Sequence, residues 1–435
     1  MSHLEHADDM AVVSYSAEGL QRHLNTFARW CGNNMLEANA TKSWVMIFGP
    51  IPSVIPVLTL NGSMVRYTDR FAYVGITFQS TARNIFTSHY AAKASTARGT
   101  RYSVLGIESY IGDLPPKEGR LLYMACIDPH LVSAADIIVD VDNTALALLE
   151  KVQRSFLRQL LGLGQHSMRA PLFTELGLVP LQYRRLILAI RYLKYLISLK
   201  PNHYAKVALE DSYDLYLNNH PGYWMDLVYA LQRLRFLVEL PSLPSLTAEL
   251  CEKLGKAVYT AAMCDLQLDV DNSTRLSLLH GRREPLEKEK PKAITAVLRH
   301  YLVLVVNPRH QKAITRLLVS QHPLAVECLR YKKRYHKEIV PRNLRRCRFG
   351  CASVETVEHA MFFCDQTDEL IQWCTTFVLA MSAQLPEILV VSTATATAVL
   401  RSLVFNRDAV CQVAKFAHYV FGVFADTALV WPEGY

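Results

Sequence analysis

Two groups of residues in this chain have the types and the spacing for chemistry. The first is Asp8-Asp9, preceded by His6-Ala7 and followed by Met10-Ala11-Val12-Val13. Adjacent carboxylates repel each other unless a cation lies between them, and a hard divalent ion such as Mg²⁺ takes oxygen ligands of this kind. Apolar residues on both sides read as a β-hairpin whose strands are buried and whose acidic tip stays wet. The same pair also suits a solvated Asp-Asp turn that binds nothing.

The second group is Cys347-x₃-Cys351-x₇-His359-x₄-Cys364. Three thiolates and an imidazole suit tetrahedral Zn²⁺, presented by two short arms joined by a loop. Free buried cysteines beside a surface histidine are the alternative. The approach to this group is strongly basic. Arg330, Lys332, Lys333, Arg334, Lys337, Arg342, Arg345, Arg346 and Arg348 are interleaved with Tyr331, Tyr335 and His336. Cations neutralise phosphates and aromatic rings stack on bases, so the stretch fits single-stranded RNA or DNA. A solvated basic face and a nuclear-import signal draw on the same residues.

The elements that would position these groups are legible in outline. Residues 18–36 carry Leu20, Leu24, Phe27, Cys31 and Met35 at helical spacing. A β-rich run, Trp44-Val45-Met46-Ile47-Phe48, ends at Gly49-Pro50. Asn61-Gly62 predicts a tight hairpin turn, and residues 71–78 read as one further strand. Beyond residue 80 the pattern is helical, with helices expected over 88–105, 117–126, 145–163 and 181–199. The helix over 181–199 carries Arg184, Arg185, Arg191 and Lys194, which suit either phosphate contact or the flanks of a half-buried helix. Thr247 is placed to cap another helix, and the Pro-punctuated charged run over 281–292 reads as a boundary.

The chain resembles the C-terminal part of a fungal non-LTR (LINE-type) retrotransposon reverse transcriptase, its clearest motifs covering roughly the first 80 residues. His6-Ala7-Asp8-Asp9 stands where that family has Tyr-Ala-Asp-Asp. Trp30-Cys31, Asn34, Leu36 through Asn39 and Lys42 resemble its next helix and strand, and Phe71, Tyr73, Val74 and Gly75 its primer-grip element. Leu160-Leu161-Gly162-Leu163, Glu175-Leu176-Gly177 and the cysteine group extend the resemblance. It implies that Asp8 and Asp9 are Mg²⁺ ligands, that Lys42 lies near the triphosphate, and that Phe71, Tyr73 and Gly75 hold the primer. It also implies a zinc knuckle at Cys347, Cys351, His359 and Cys364, although the family's first pair is usually C-x₂-C. The partners implied are an RNA template and a DNA primer. Lys332, Lys333, Arg334, Arg345, Arg346 and Arg348 are the expected nucleic-acid contacts.

Two-metal nucleotidyl transfer needs acids that clamp both ions. In the family one of them is an aspartate upstream of the Asp-Asp hairpin, and no residue downstream of Asp9 has the context to replace it. The chain is therefore expected to be inactive alone, the alternative being a non-enzymatic RNA- or DNA-binding remnant. The expected fold is α+β and predominantly helical. A small antiparallel palm-remnant sheet would occupy residues 1–80, with thumb-like helices over 81–200. A helical connection would follow over 201–290, then a helical domain over 291–435 holding the knuckle.

Composition narrows the classes. A hydrophobic content of 51% in 435 residues supports true cores and excludes a disordered tail. The net charge of +8 favours polyanions. Ten cysteines without an apolar leader point to a reducing, intracellular setting, nuclear or cytoplasmic. The most apolar stretches, 388–405 and 416–431, are interrupted by Arg401, His418 and Asp426. They read as core helices, so no membrane partner is expected.

Overall fold

A computed structural model describes residues 3–331, 338–433 and 435. The protein is α+β and predominantly helical, with 17 α-helices among the described residues and every strand before residue 80. It divides into two units: Met1–Thr96 with Asp142–Leu149, and Ala97–Val141 with Glu150–Tyr435.

The first unit holds the strands as four two-stranded ladders, three antiparallel and one, Trp44–Val45 with Arg66–Tyr67, parallel. His3–His6 pairs with Asp9–Val12, His6 opposite Asp9, around a turn in which Ala7 has φ 52°. Asn61 and Gly62 both take positive φ, as a type I′ turn requires, between Thr59–Leu60 and Ser63–Met64. The expected single strand over 71–78 is instead a hairpin, Arg70–Tyr73 with Ile76–Gln79. Its turn is Val74-Gly75, both at positive φ, and Gly75 supplies at no steric cost the conformation that splits the β-rich run. Ala17–Asn33 is capped by the Ser16 hydroxyl, which accepts from the Gly19 amide. Its Leu20, Leu24 and Phe27 pack on Val45, Leu58, Leu60 and Val65, the small core of this unit.

The second unit is built of helices. Leu181–Ser198 lies along Ala248–Asp271, with Trp224 fully buried in the shared core. Thr247 caps the second of these by accepting from the Leu250 amide. Three of the four basic residues of the Leu181–Ser198 helix pair with acids of the same unit, Arg185 buried, while Arg191 is exposed. Arg184 grips Asp128 at 2.9 and 3.0 Å, Arg185 grips Asp140 at 2.9 Å and donates to the Leu131 carbonyl, and Lys194 pairs with Glu252.

Part of the charged run over 281–292 is also interior. Arg282 pairs with Glu175 at 2.5 Å, and Glu284 with Arg299 and His300 at 3.0 Å, all five residues being buried. The Tyr301 hydroxyl donates to Glu175 at 3.0 Å. Buried charges persist only when paired in this way. No helix among the described residues is long and apolar enough to cross a membrane. The apolar stretches near the C-terminus form Ala396–Val404 and Val410–Asp426, each with a buried face.

Candidate functional site

The cysteine group is assembled by two local devices. Cys347 and Cys351 flank a loop held at its mouth by Cys347 N–H donating to the Ser353 carbonyl at 3.0 Å and by the Arg346–Val354 bridge. Gly350, at φ 91°, lets the longer C-x₃-C arm double back, and its amide donates to the Cys347 carbonyl at 3.3 Å. The second arm is a π-turn, His359–Phe363, closed by Cys364 N–H donating to the His359 carbonyl at 2.9 Å. A π-turn bonds residue i to i+5, so a spacing of five brings Cys364 back over His359.

The outcome is one compact cluster. A ligand atom from each of Cys347, Cys351, His359 and Cys364 lies within 4.8 Å of the others. Cys364 Sγ is 3.8 Å from both Cys347 Sγ and Cys351 Sγ. A tetrahedron with Zn–S bonds of about 2.3 Å has S···S edges of about 3.8 Å, whereas a disulfide would need about 2.05 Å. His359 also carries a buried ring nitrogen, Nε2, with no hydrogen-bond partner. Donor set, edge length and that nitrogen all fit Zn²⁺. The Cys364–Cys347 contact holds the Cys347 thiol below its ordinary value and pushes Cys364 up, while burial pushes Cys351 up.

A set of supporting hydrogen bonds that sequence reading missed ties the loop to the domain. Glu355, fully buried, accepts from the Ala325 amide at 2.6 Å, the Arg348 amide at 2.8 Å and the Arg348 guanidinium at 2.7 Å. That guanidinium also donates to the Thr427 and Pro323 carbonyls at 2.7 Å and to that of Phe424. Arg345 donates to the Val340 carbonyl at 2.8 Å and to the Val326 carbonyl at 2.8 Å. Arg345 and Arg348, expected as nucleic-acid contacts, are thus buried and bonded inside the protein. Their charge reads as surface in a linear pattern, but Glu355 turns one of them inward and backbone carbonyls the other. Arg346 remains exposed, with one bond to the Ala352 carbonyl. Lys332, Lys333 and Arg334 lie outside the described residues.

In the first unit, Asp8 sits in the hairpin turn and Asp9 opens the following strand, both exposed, as is Lys42. Among the described residues no cluster of three or more potential metal ligands includes either aspartate. Phe71 is partly exposed, Tyr73 donates from its hydroxyl to the Leu4 carbonyl at 3.4 Å, and Gly75 forms the adjacent turn.

No family model and no solved structure matches the chain. Over 102 residues it is 30% identical to the RNA-directed DNA polymerase from mobile element jockey of Drosophila melanogaster. About a fifth of the chain is reverse-transcriptase-like. The matched part is 21% of this chain and 11% of that protein, so the chain spans a small part of its relative's length.

Proposed function

We propose that this chain is the C-terminal part of a non-LTR retrotransposon reverse transcriptase and that, by itself, it binds single-stranded nucleic acid without polymerising. The observation that carries the reading is the Cys347–Cys351–His359–Cys364 cluster, which fits Zn²⁺ and sits in a chain with a basic approach and a reverse-transcriptase-like stretch. A metal here would fix the two arms and the strand-like mouth between them. Arg346, Lys332, Lys333 and Arg334 would then present cations to phosphate. The thumb-like helices over 81–200 and the domain over 291–435 remain the divisions we favour.

Asp8 and Asp9 would contribute to Mg²⁺ binding, with Lys42 at the triphosphate and Phe71, Tyr73 and Gly75 at the primer, once a third carboxylate joined them. The test incubates the zinc-loaded chain with a labelled RNA template and DNA primer, Mg²⁺ and deoxynucleotides. Retarded mobility without extension is expected. Extension would overturn the inactivity, and failure to bind would overturn the reading as a whole.

A further inference from the structure

A second basic site lies in the same unit, in a cleft of about 490 Å³. That volume is within the roughly 300–1,000 Å³ of small-ligand sites. Arg169, Arg235, Arg275 and Arg330 come to its walls from four separate segments, with Asn272 and Thr274 exposed between them. The arginines are anchored. Arg235 reaches Asp265 at 3.1 Å and Asp269 at 2.8 Å, Arg169 lies 3.8 Å from Asp265, and Arg275 and Arg330 each lie 3.3 Å from Glu327. Four guanidiniums against three carboxylates leave one net positive charge. Each guanidinium has five N–H donors, more than these acids can absorb. Arg169 and Arg235 keep 35% and 44% of their side chains exposed, so donors face solvent.

An aromatic edge adjoins the array. Tyr331 is partly exposed, its ring 5.6 Å from the Arg275 guanidinium and 5.8 Å from the exposed His166 ring. Phosphate-binding forks beside a stackable ring are what a nucleotide unit requires, the forks taking the backbone and the ring a base. The cleft also adjoins, along the chain, the segment bonded to the cysteine loop. Arg330 follows Ala325–Cys328, the short helix whose first amide is held by Glu355 and whose Val326 carbonyl is held by Arg345. The chain runs directly from Arg330-Tyr331 into Lys332-Lys333-Arg334.

We infer that this arginine cleft is a phosphodiester-binding site for single-stranded nucleic acid, continuous in sequence with the basic approach to the cysteine cluster. The inference rests on the nucleic-acid reading above but places a separate site, away from the metal ligands. The test measures binding of a fluorescent oligouridylate by the full zinc-loaded chain between low and moderate salt. The variants are Arg169→Ala/Arg235→Ala, the charge-keeping Arg169→Lys/Arg235→Lys, and Lys288→Ala/Lys290→Ala as a charge-matched control.

The alanine pair is expected to weaken binding about tenfold and to flatten the plot of log affinity against log salt by about 1.4, roughly 0.7 for each phosphate no longer neutralised. The lysine pair should keep the slope and forfeit part of the affinity, since a lysine cannot reproduce the fork. An alanine pair that behaves like the control, while the wild-type chain binds, overturns the cleft and leaves the broader reading standing. A wild-type chain that does not bind overturns both. If the alanine pair does not fold, photo-crosslinking of a 4-thiouridine oligonucleotide to the wild-type chain decides. Crosslinks at Tyr331 or Met168 support the cleft, and crosslinks confined elsewhere overturn it.

Discussion

Replacing Glu355 by alanine should unfasten the cysteine cluster from the rest of its unit. The carboxylate accepts two backbone amides, Ala325 and Arg348, and two donors of the Arg348 guanidinium at 2.7 and 3.1 Å. It is fully buried, and the Arg348 side chain is 2% exposed. Removing it leaves a buried cation supported only by carbonyl oxygens, and breaking a buried pair from one side costs about 3–5 kcal/mol. The two orphaned amides are part of that cost and are not added to it. Glu355→Gln keeps the shape and one acceptor oxygen, so it should cost less, about half as much by this reasoning. Urea unfolding monitored by circular dichroism gives the stability, and release of Zn²⁺ to a chromogenic chelator gives the local effect. Both should move together, with faster metal release in Glu355→Ala than in Glu355→Gln. A destabilisation under about 1 kcal/mol with unchanged release would refute the linkage.

Further outcomes follow from the same interactions. The chain should bind one Zn²⁺ tightly, read by elemental analysis, and Cys347→Ser/Cys364→Ser should abolish it. Because the thiols must lose their protons, affinity for Zn²⁺ should fall as pH falls, seen by competition with a chelator of known affinity. Burial would raise the Glu284 carboxyl, but hydrogen bonds from His300 and the charge of Arg299 outweigh it and hold the group at about 2. A folded value below the unfolded one adds stability that is full above about pH 4.5 and lost as pH falls toward 2, worth about 3 kcal/mol. Urea titrations at pH 7 and pH 3 should show about 2 kcal/mol of that decline in the wild type and much less in Glu284→Gln. Gly177→Ala should destabilise by about 1–3 kcal/mol or more, because φ is 64° and a Cβ would stand 2.7 Å from the Leu298 amide nitrogen. Thermal melts of that variant next to Gly255→Ala, where a Cβ would meet only the Ile190 side chain at an ordinary 4.0 Å, would check it.

The helices over 88–105, 145–163 and 181–199 were legible because their apolar spacing is strong, and their observed ends fall within about three residues of expectation, whereas the apolar stretches 388–405 and 416–431 became helices with ends offset by up to eight residues. Leu181–Ser198 and Thr87–Gly106 are examples. Caps at Thr247 and the Asn61-Gly62 turn were legible because each residue acts through its own local chemistry. The Val74-Gly75 turn was hidden by β-branched and aromatic neighbours that favour strand on either side. Four cysteine-group residues were legible from type and spacing alone. Their support was not, since Glu355 and Arg348 look like ordinary surface charges and only tertiary packing reverses them. The same holds for Glu175, Arg282 and Arg299, which pair across more than a hundred residues of sequence. The arginine cleft gave no linear signal, because its members come from four segments.

The measurement that tests the central claim most directly is the affinity of the chain for single-stranded RNA before metal removal, after stripping by a chelator, and after restoring Zn²⁺. Binding that disappears on stripping and returns with Zn²⁺ but not Mg²⁺ is the predicted result. Affinity that is unchanged in a chain shown to be free of zinc would contradict the claim that the cysteine cluster organises the nucleic-acid surface.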